Sequence, residues 1–297
     1  MINSKNISNT AAYIAIKFYG MTMNKELGAL FPEWMKGFYE DLVCFLPKRL
    51  NWYYTALETT GLRKLFTFAE ELLLPGDLMH IVCRKYYIQQ LVDEALREGI
   101  EQVVILGAGF DHLGAYTSGK GLPTFEIDTP SMALYKAQFL DKHGYMNDHL
   151  YCCSVNVNTT SIEEYLLNHP RFDTSNHTLI IAEGFFDYLN LEQTRKLLKQ
   201  LSRLCPNHTL ITTLFSLNEL NFFHRLSFTS GVALVGEAIK LPLDRDGFID
   251  LLSEYSYNED RIISHQQMDA QYIQKTSIDL SVLKGFYIIQ MSHLSPN

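Results

Sequence analysis

Four side chains that can bind a polar ligand stand at the ends of short apolar segments in this 297-residue chain. They are two aspartates, one asparagine and one glutamate: Asp111, Asp128, Asn156 and Glu183. Their oxygens accept hydrogen bonds from hydroxyl and amino groups of a ligand. Because the carboxyl ends of parallel strands meet at one edge of a sheet, we expect these four side chains to lie close together.

The motif around which the chain is organised runs from Gln102 to Asp111, where an apolar segment leads into Gly107-Ala108-Gly109. It predicts a strand buried on both faces that ends where the backbone approaches a ligand; an ordinary buried strand and turn is the alternative. Asp128 lies 19 residues after Gly109, close to the spacing at which a carboxylate binds ribose hydroxyls. His112 stands where a dinucleotide-binding fingerprint has its third glycine, which favours a single adenosine ligand over a nicotinamide or flavin.

A basic residue interrupts the apolar stripe of the longest predicted helix. After the break at residues 74–77, with Asp77 as N-cap, the pattern predicts a helix from Leu78 to about Glu98. Arg84 falls among the inward positions of this helix, so two interpretations stand side by side. In the first, the aliphatic part of the side chain packs inward and the guanidinium reaches either the protein surface or a carboxylate of the protein. In the second, the guanidinium binds an anionic group of the ligand with two hydrogen bonds. The stripe comprises Ile81, Arg84, Ile88, Leu91 and Ala95.

Composition indicates a globular protein with a sizeable core, since 47% of the residues are apolar and 20% are charged. A net charge of -8 argues against broad binding to nucleic acid or to an anionic membrane. The five cysteines show no C-x-x-C spacing and the histidines no metal-ligand spacing, so we predict neither a disulfide framework nor a metal site. A reducing cytosol is the expected compartment, because no export signal or membrane-spanning segment is apparent.

Alternating helix and strand patterns predict an α/β fold with a mostly parallel sheet and right-handed crossovers. Before it, a helix from Thr10 to Met23, with Thr10 as N-cap, and two or three aromatic-rich helices between Leu30 and Phe68 predict a helical cap. Helices are also predicted from Pro130 to Leu140, from Ser161 to Asn168 and from Leu191 to Leu204. Strands are predicted within residues 102–106, 125–128, 151–157, 179–182, 209–215 and 285–290.

The chain resembles the leucine carboxyl methyltransferase family over nearly its whole length. The segments that carry the resemblance are Asn9-Thr-Ala11, Arg84-Lys-Tyr86, Val103 to Asp111, Phe125 to Pro130 and Ala182 to Leu189. It implies a Rossmann-like class I methyltransferase sheet with a helical N-terminal cap over residues 1–76. Residues 77–297 are then the α/β catalytic domain that binds S-adenosylmethionine.

The resemblance also assigns roles to residues. Arg84 takes the methionine carboxylate and Glu183 faces the methionine ammonium group. The backbone from Gly107 to Gly109 passes under the amino acid moiety, Asp128 holds the ribose, and Asn156 and Val157 match the family's Asp-Leu at the adenine.

Two positions depart from the family pattern. The family often has Asp-Thr-Arg or Asp-Ser-Arg after the glycines, whereas Asp111 is followed here by His112 and Leu113, so the usual charge partner is missing. We expect His112 to be a weaker substitute for it. Asn156 in place of Asp keeps an oxygen for the adenine amino group and loses the charge, which predicts looser binding.

These observations predict an O-methyltransferase that acts on a carboxylate, of a small molecule or of a peptide C-terminus. A carboxylate attacks the sulfonium methyl group without deprotonation, so placement and exclusion of water suffice. A hydroxyl O-methyltransferase of secondary metabolism is the runner-up; it requires a general base, for which Glu183, Asp187 and Tyr188 are the candidates. A non-catalytic cofactor-binding paralogue and a nicotinamide-dependent reductase are the alternatives from other classes.

Overall fold

The computed structural model describes residues 7–47, 59–234, 237–272, 277–278 and 280–294. In it, seven strands form one sheet in the order β3-β2-β1-β4-β5-β7-β6. The first five strands along the chain run parallel, and β7 is antiparallel to both β5 and β6. The predicted α/β class and mostly parallel sheet are therefore confirmed. The strands are β1 (Gln102–Leu106), β2 (Thr124–Asp128), β3 (Leu150–Ser154), β4 (Thr178–Ala182), β5 (Asn207–Phe215), β6 (Tyr257–Ser264) and β7 (Phe286–Leu294).

The central strand β1 is buried over its whole length because both faces of the sheet are covered. Val103 and Ile105 belong to the core on the face shared with the N-terminal helices, whereas Val104 and Leu106 belong to the core on the opposite face. Side chains alternate between the faces of a strand, so a continuous apolar run is what a doubly covered parallel strand requires.

The helices cover the two faces of the sheet and the ends of its strands. They are α1 (Asn9–Thr22), α2 (Lys25–Gly28), α3 (Glu33–Phe45), α4 (Thr60–Leu73), α5 (Asp77–Arg97), α6 (Leu113–Gly119), α7 (Pro130–Lys142), α8 (Ile162–Leu167), α9 (Leu191–Leu204), α10 (Phe222–Leu234), α11 (Arg245–Ser253) and α12 (His265–Tyr272). Two predicted caps were wrong. Ser8 caps α1 in place of Thr10, because its hydroxyl accepts from the Ala11 amide, and Gly76 with φ of 87° precedes α5 in place of Asp77.

The second half of the chain contains elements that the sequence patterns did not predict, namely β6 and the helices α10 to α12. Strand β6, with the sequence YNEDRIIS, lies at the outer edge of the sheet and is mostly exposed. Because most of its residues are polar, it lacks the alternation of apolar and polar residues that predicts a strand. It is held by pairing with β7.

The N-terminal helices share their core with one face of the sheet. Phe18 of α1 packs on Tyr39 of α3 with ring centroids 4.6 Å apart, and both belong to the core that contains Ile105 of β1. The predicted boundary between residues 76 and 77 thus falls within one continuous core. Part of the segment in which aromatic-rich helices were predicted, including Trp52 to Tyr54, lies outside the described residues.

Within the described ranges, none of the helices combines the length and the apolar character that a bilayer crossing needs.

Candidate functional site

A cavity of about 630 Å³ opens at the carboxyl ends of β1, β2 and β4, within the usual size range of ligand sites. The strand ends and α5 form one side of the cavity, which we call the inner wall. The other side, which we call the outer wall, is formed by Ser8, Thr10, Tyr188 and Glu237. The structure brings nine of the predicted residues to the cavity. They are Arg84, Gly107, Ala108, Gly109, Asp111, Asp128, Val157, Glu183 and Tyr188.

The glycine turn after β1 gives the inner wall a bare stretch of backbone. Gly107 and Gly109 have φ of 62° and 46°, in the left-handed region that favours glycine. A Cβ on Gly107 would lie 2.5 Å from the ring of Phe185, so a larger residue cannot be fitted without moving that ring. The amide of Gly107 donates to the Ile127 carbonyl at 2.8 Å, which ties the turn to β2.

Asp128 ends β2 and is fixed by the backbone on both sides. Its Oδ2 accepts from the Gly109 amide at 2.8 Å, and its Oδ1 accepts from the Thr129 amide at 2.7 Å. Burial raises the pKa of this carboxyl, and the hydrogen bond from Gly109 opposes the rise. Glu126, two residues earlier, is buried in an ion pair with Lys136 at 2.6 Å and does not line the cavity, so it cannot take the place of Asp128.

Arg84 satisfies parts of both sequence interpretations. Its guanidinium is buried and its Nε lies 2.6 Å from Oε1 of Glu183, so a carboxylate of the fold does meet it. The two groups form an ion pair without a hydrogen bond from Nε–H of Arg84. Among the described residues, none accepts a hydrogen bond from its terminal nitrogens, and the residue lines the cavity. The fork of the guanidinium is thus available to an anionic ligand group.

Lys85 is the site residue for which the sequence analysis assigned no role. Its ammonium donates to Oδ2 of Asp111 and, at 2.8 Å, to Oε1 of Glu183. Burial is the largest single influence on the Asp111 carboxyl and would raise its pKa, but the charges of Lys85, His112 and Lys136 together with the Lys85 hydrogen bond hold this pKa well below its usual range. The signal was present in the sequence: two consecutive basic residues in an otherwise apolar part of a helix need two buried anions.

His112 does not replace the missing arginine, contrary to the expectation from its position. Burial lowers the pKa of its imidazole to about 4, so the ring is neutral at pH 7 despite the nearby Asp111. Its two nitrogens lie 3.2 Å from the Tyr39 hydroxyl and 2.9 Å from Oε1 of Gln89. The residue therefore joins α3 and α5 beneath the cavity, and Lys85 carries the charge that was expected here.

Asn156 is placed apart from the other predicted residues. Its Oδ1 accepts from the Asn158 amide at 3.0 Å, which closes a turn after β3. The residues of this turn that line the cavity are Val157 and Asn158. The predicted contact between Asn156 and adenine has no support from this geometry, because Asn156 does not line the cavity.

The outer wall carries polar groups with few partners. Ser8 donates to Oε1 of Glu237 at 2.6 Å, which joins the start of α1 to the segment after α10. The Thr10 hydroxyl is buried without a hydrogen-bond partner among the described residues. Burial raises the pKa of the Tyr188 phenol, and its hydroxyl makes no hydrogen bond to the described part of the chain. Tyr188 is therefore a protonated donor that faces the cavity.

Asp187, a candidate base, is buried behind the cavity rather than in its lining. Its Oδ1 accepts from the Phe215 amide at 3.0 Å, which joins the turn after β4 to the end of β5. Burial raises its pKa to about 6, with partial opposition from that hydrogen bond. Its position excludes direct contact with a ligand in the cavity.

Comparison with known families finds a match to the leucine carboxyl methyltransferase model over residues 45–202. A protein of Mycobacterium avium (strain 104) with the provisional name S-adenosyl-L-methionine-dependent methyltransferase is 32% identical over 123 residues, which are 41% of this chain and 39% of that protein. A protein of the same provisional name from Mycolicibacterium smegmatis is 33% identical over 107 residues, 36% of this chain and 33% of that protein. The aligned part thus spans well under half of each relative.

Solved structures share the fold at low sequence identity. A provisionally named methyltransferase of Thermobifida fusca YX superposes with a TM-score of 0.58 at 16% identity, covering 80% of this chain and 90% of that chain. A DUF574 family protein of Streptomyces avermitilis gives a TM-score of 0.56 at 11% identity, covering 77% and 88%. At such identities the likeness concerns the fold alone.

The inner wall fits S-adenosylmethionine, the cofactor that the family implies. Oε2 of Glu183 is buried without a partner in the described structure, as suits an acceptor for the methionine ammonium group. The fork of Arg84 would hold the methionine carboxylate, and Asp128 would accept from the ribose hydroxyls. The turn at Gly107 would allow the methionine backbone to pass closely.

Proposed function

Since this chain belongs to the leucine carboxyl methyltransferase family, we propose that it transfers a methyl group from S-adenosylmethionine to a carboxylate. The acceptor is a small molecule or a peptide C-terminus. In this reaction the protein binds and orients two ligands and excludes water from between them, and it does not remove a proton.

The observation that carries this proposal is that none of the three residues predicted as general bases is placed to take a proton from a ligand in the described part of the cavity. The described lining contains no histidine. Among the three candidates, Glu183 is engaged by two cations, Tyr188 is held protonated, and Asp187 lies outside the lining. A hydroxyl acceptor needs proton removal in the transition state, whereas an ionised carboxylate does not.

The outer wall supplies hydrogen-bond donors for such an acceptor. The unpartnered hydroxyls of Thr10 and Tyr188 can both donate to a carboxylate oxygen. Hydrogen bonds to an ionised acceptor are stronger than those between neutral groups, and the buried setting strengthens them further. Alanine and isoleucine side chains of α1, at Ala11, Ile14 and Ala15, line the same cavity and exclude water from it.

The bound cofactor supplies the methyl group from a sulfonium centre: the acceptor oxygen forms the new C–O bond as the C–S bond breaks, and a neutral thioether leaves. The inner wall would hold the methionine and ribose ends of the cofactor, and the outer wall would hold the acceptor next to it. Such positioning can supply about 7–11 kcal/mol of a reaction barrier. Our proposal assigns catalysis to this placement.

The test is to incubate the protein with methyl-labelled S-adenosylmethionine and a panel of carboxylic acids and C-terminal peptides, then to treat labelled products with alkali. A methyl ester releases labelled methanol, as we expect, whereas a methyl ether keeps its label. A base-stable product would overturn the carboxylate assignment in favour of the hydroxyl alternative. In that case Glu237, the acidic residue of the outer wall, becomes the candidate base, and Glu237→Gln should abolish labelling.

A binding control separates the remaining alternative. Labelling of no acceptor, together with binding of S-adenosylhomocysteine in calorimetry, would identify a non-catalytic cofactor-binding protein. Stabilisation of the fold by NAD alone would contradict the cofactor itself.

A further inference from the structure

We propose that Lys85 is a positioning residue of the cofactor site, which holds Asp111 and Glu183 together and leaves one oxygen of Glu183 for the methionine ammonium group. Lys85 supplies the positive charge next to Asp111, which is followed along the chain by His112 and Leu113. The role is indirect, since Lys85 acts through Glu183.

The geometry joins three elements at one point. Lys85 on α5 reaches Asp111, in the turn after β1, and Glu183, at the end of β4. The Lys85 side chain is 4% exposed and that of Glu183 is 8% exposed, so water cannot replace either contact. The contact to Asp111 fixes the start of α6, because Oδ1 of the same carboxylate accepts from the Leu113 amide at 2.6 Å.

The two carboxylate oxygens of Glu183 have different surroundings, which supports the role of Lys85. Arg84 and Lys85 both approach Oε1, at 2.6 Å and 2.8 Å, whereas Oε2 is buried with no partner among the described residues. A buried carboxylate oxygen without a donor is costly, so this oxygen indicates a site for an incoming cationic group. Two cations on one oxygen prevent the carboxylate from rotating to satisfy the other.

The charge balance explains why a lysine is needed at this position. Arg84, Lys85, Asp111 and Glu183 form a buried group with two positive and two negative charges. Removal of Lys85 would leave one negative charge uncompensated, and breaking a buried pair by removing one partner is strongly destabilising. The neutral His112 cannot supply the missing charge.

The test compares Lys85→Met with Lys17→Met. Lys17 also bridges two carboxylates, with its ammonium 2.6 Å from Glu70 and 2.7 Å from Asp77, but it lies outside the cavity lining. We expect both substitutions to lower the melting temperature. Only Lys85→Met should weaken binding of S-adenosylhomocysteine in calorimetry, by about tenfold or more, because a charged hydrogen-bond network to the ligand is disturbed. Unchanged affinity in a folded Lys85→Met protein would overturn the proposal.

A ligand without the α-amino group separates positioning of Glu183 from general loosening of the site. An S-adenosylhomocysteine analogue that lacks this group should bind the wild type and Lys85→Met equally. A loss as large as that for the intact ligand would assign Lys85 a purely structural role. Should Lys85→Met not fold, Lys85→Gln keeps the length and one donor without the charge, and wild-type affinity of that protein would equally overturn the proposal.

The inference rests on the proposed function only through the cofactor. No methyl acceptor enters the experiment, so the two can fail separately. A wild-type protein that binds no S-adenosylhomocysteine contradicts the proposed function, whereas binding that is indifferent to Lys85 contradicts the positioning role alone.

Discussion

The two walls of the cavity differ in how their polar groups are satisfied. On the inner wall, Asp111, Asp128 and Glu183 are each held by backbone amides or by buried cations. On the outer wall, Thr10 and Tyr188 present hydroxyls that no described residue binds, and the Ser8 hydroxyl that caps α1 also donates to Glu237. The inner wall is preorganised, which suits a cofactor that is the same in every reaction cycle. The donors of the outer wall have no partner in the described part of the protein, so they are available to the acceptor.

The largest effect should come from removing the inner-wall carboxylate of Asp128, which two backbone amides hold in place. Asp128→Ala removes charge-assisted hydrogen bonds to the ribose worth about 1.5–3 kcal/mol, which is about tenfold or more in affinity for S-adenosylhomocysteine. It also frees the Gly109 amide, so part of the loss reflects a loosened turn. Asp128→Asn keeps an acceptor oxygen, so calorimetry should show a smaller loss of ligand affinity than for Asp128→Ala. Equal losses of affinity in the two variants would show that the charge of Asp128 matters more than its geometry.

Arg84→Lys should weaken binding of S-adenosylhomocysteine by about tenfold, or about 1.4 kcal/mol, although the charge is retained. The ammonium of lysine cannot reproduce the two parallel hydrogen bonds of a guanidinium. Methylthioadenosine, which lacks the amino acid moiety, should bind both proteins alike. If the intact ligand also binds both alike, Arg84 is only the ion-pair partner of Glu183, and the inner wall lacks an assigned site for the carboxylate.

On the outer wall, Tyr188→Phe should raise the acceptor KM several-fold and leave the affinity for S-adenosylhomocysteine unchanged. One donor is lost, worth about 0.5–1.5 kcal/mol. Tyr151→Phe is the matched control, since its hydroxyl donates to the Asp148 carbonyl at 2.9 Å away from the cavity. A loss of cofactor affinity in Tyr188→Phe would contradict the division of the cavity into two walls.

Near neutrality, pH should have only a small effect on the stability of the scaffold behind both walls, and this effect should grow as the pH falls below 6.5. Burial lowers the pKa of His80 to about 3, and those of His112 and His208 to about 4, all from an ordinary value of 6.5. The unfolded chain therefore binds more protons between pH 6.5 and 4, so the melting temperature should fall as pH falls through that range. Asp187, whose pKa is raised to about 6, has the opposite sign and offsets part of the loss. A melting temperature that stays constant from pH 7 to 4.5 would contradict the burial of these histidines.

Much of the central sheet could be predicted because its residues have no other stable arrangement. The apolar runs at β1 and β4 require cover on both faces, and α9 was predicted with the bounds that it has, Leu191–Leu204. By contrast, the edge strand β6 depends on pairing with β7, and an exposed edge leaves little periodicity to detect.

The sequence by itself determined the inner wall as a set of strand ends, because Gly107, Gly109, Asp128 and Glu183 must emerge where their strands stop. Only the tertiary structure decided how the buried charges pair. Lys85 and not His112 neutralises Asp111, since long-range packing of α5 across β1 and β4 sets which cation reaches which anion. The outer wall was also decided there, because Ser8 and Glu237 meet from positions 229 residues apart, and no local pattern encodes such a contact.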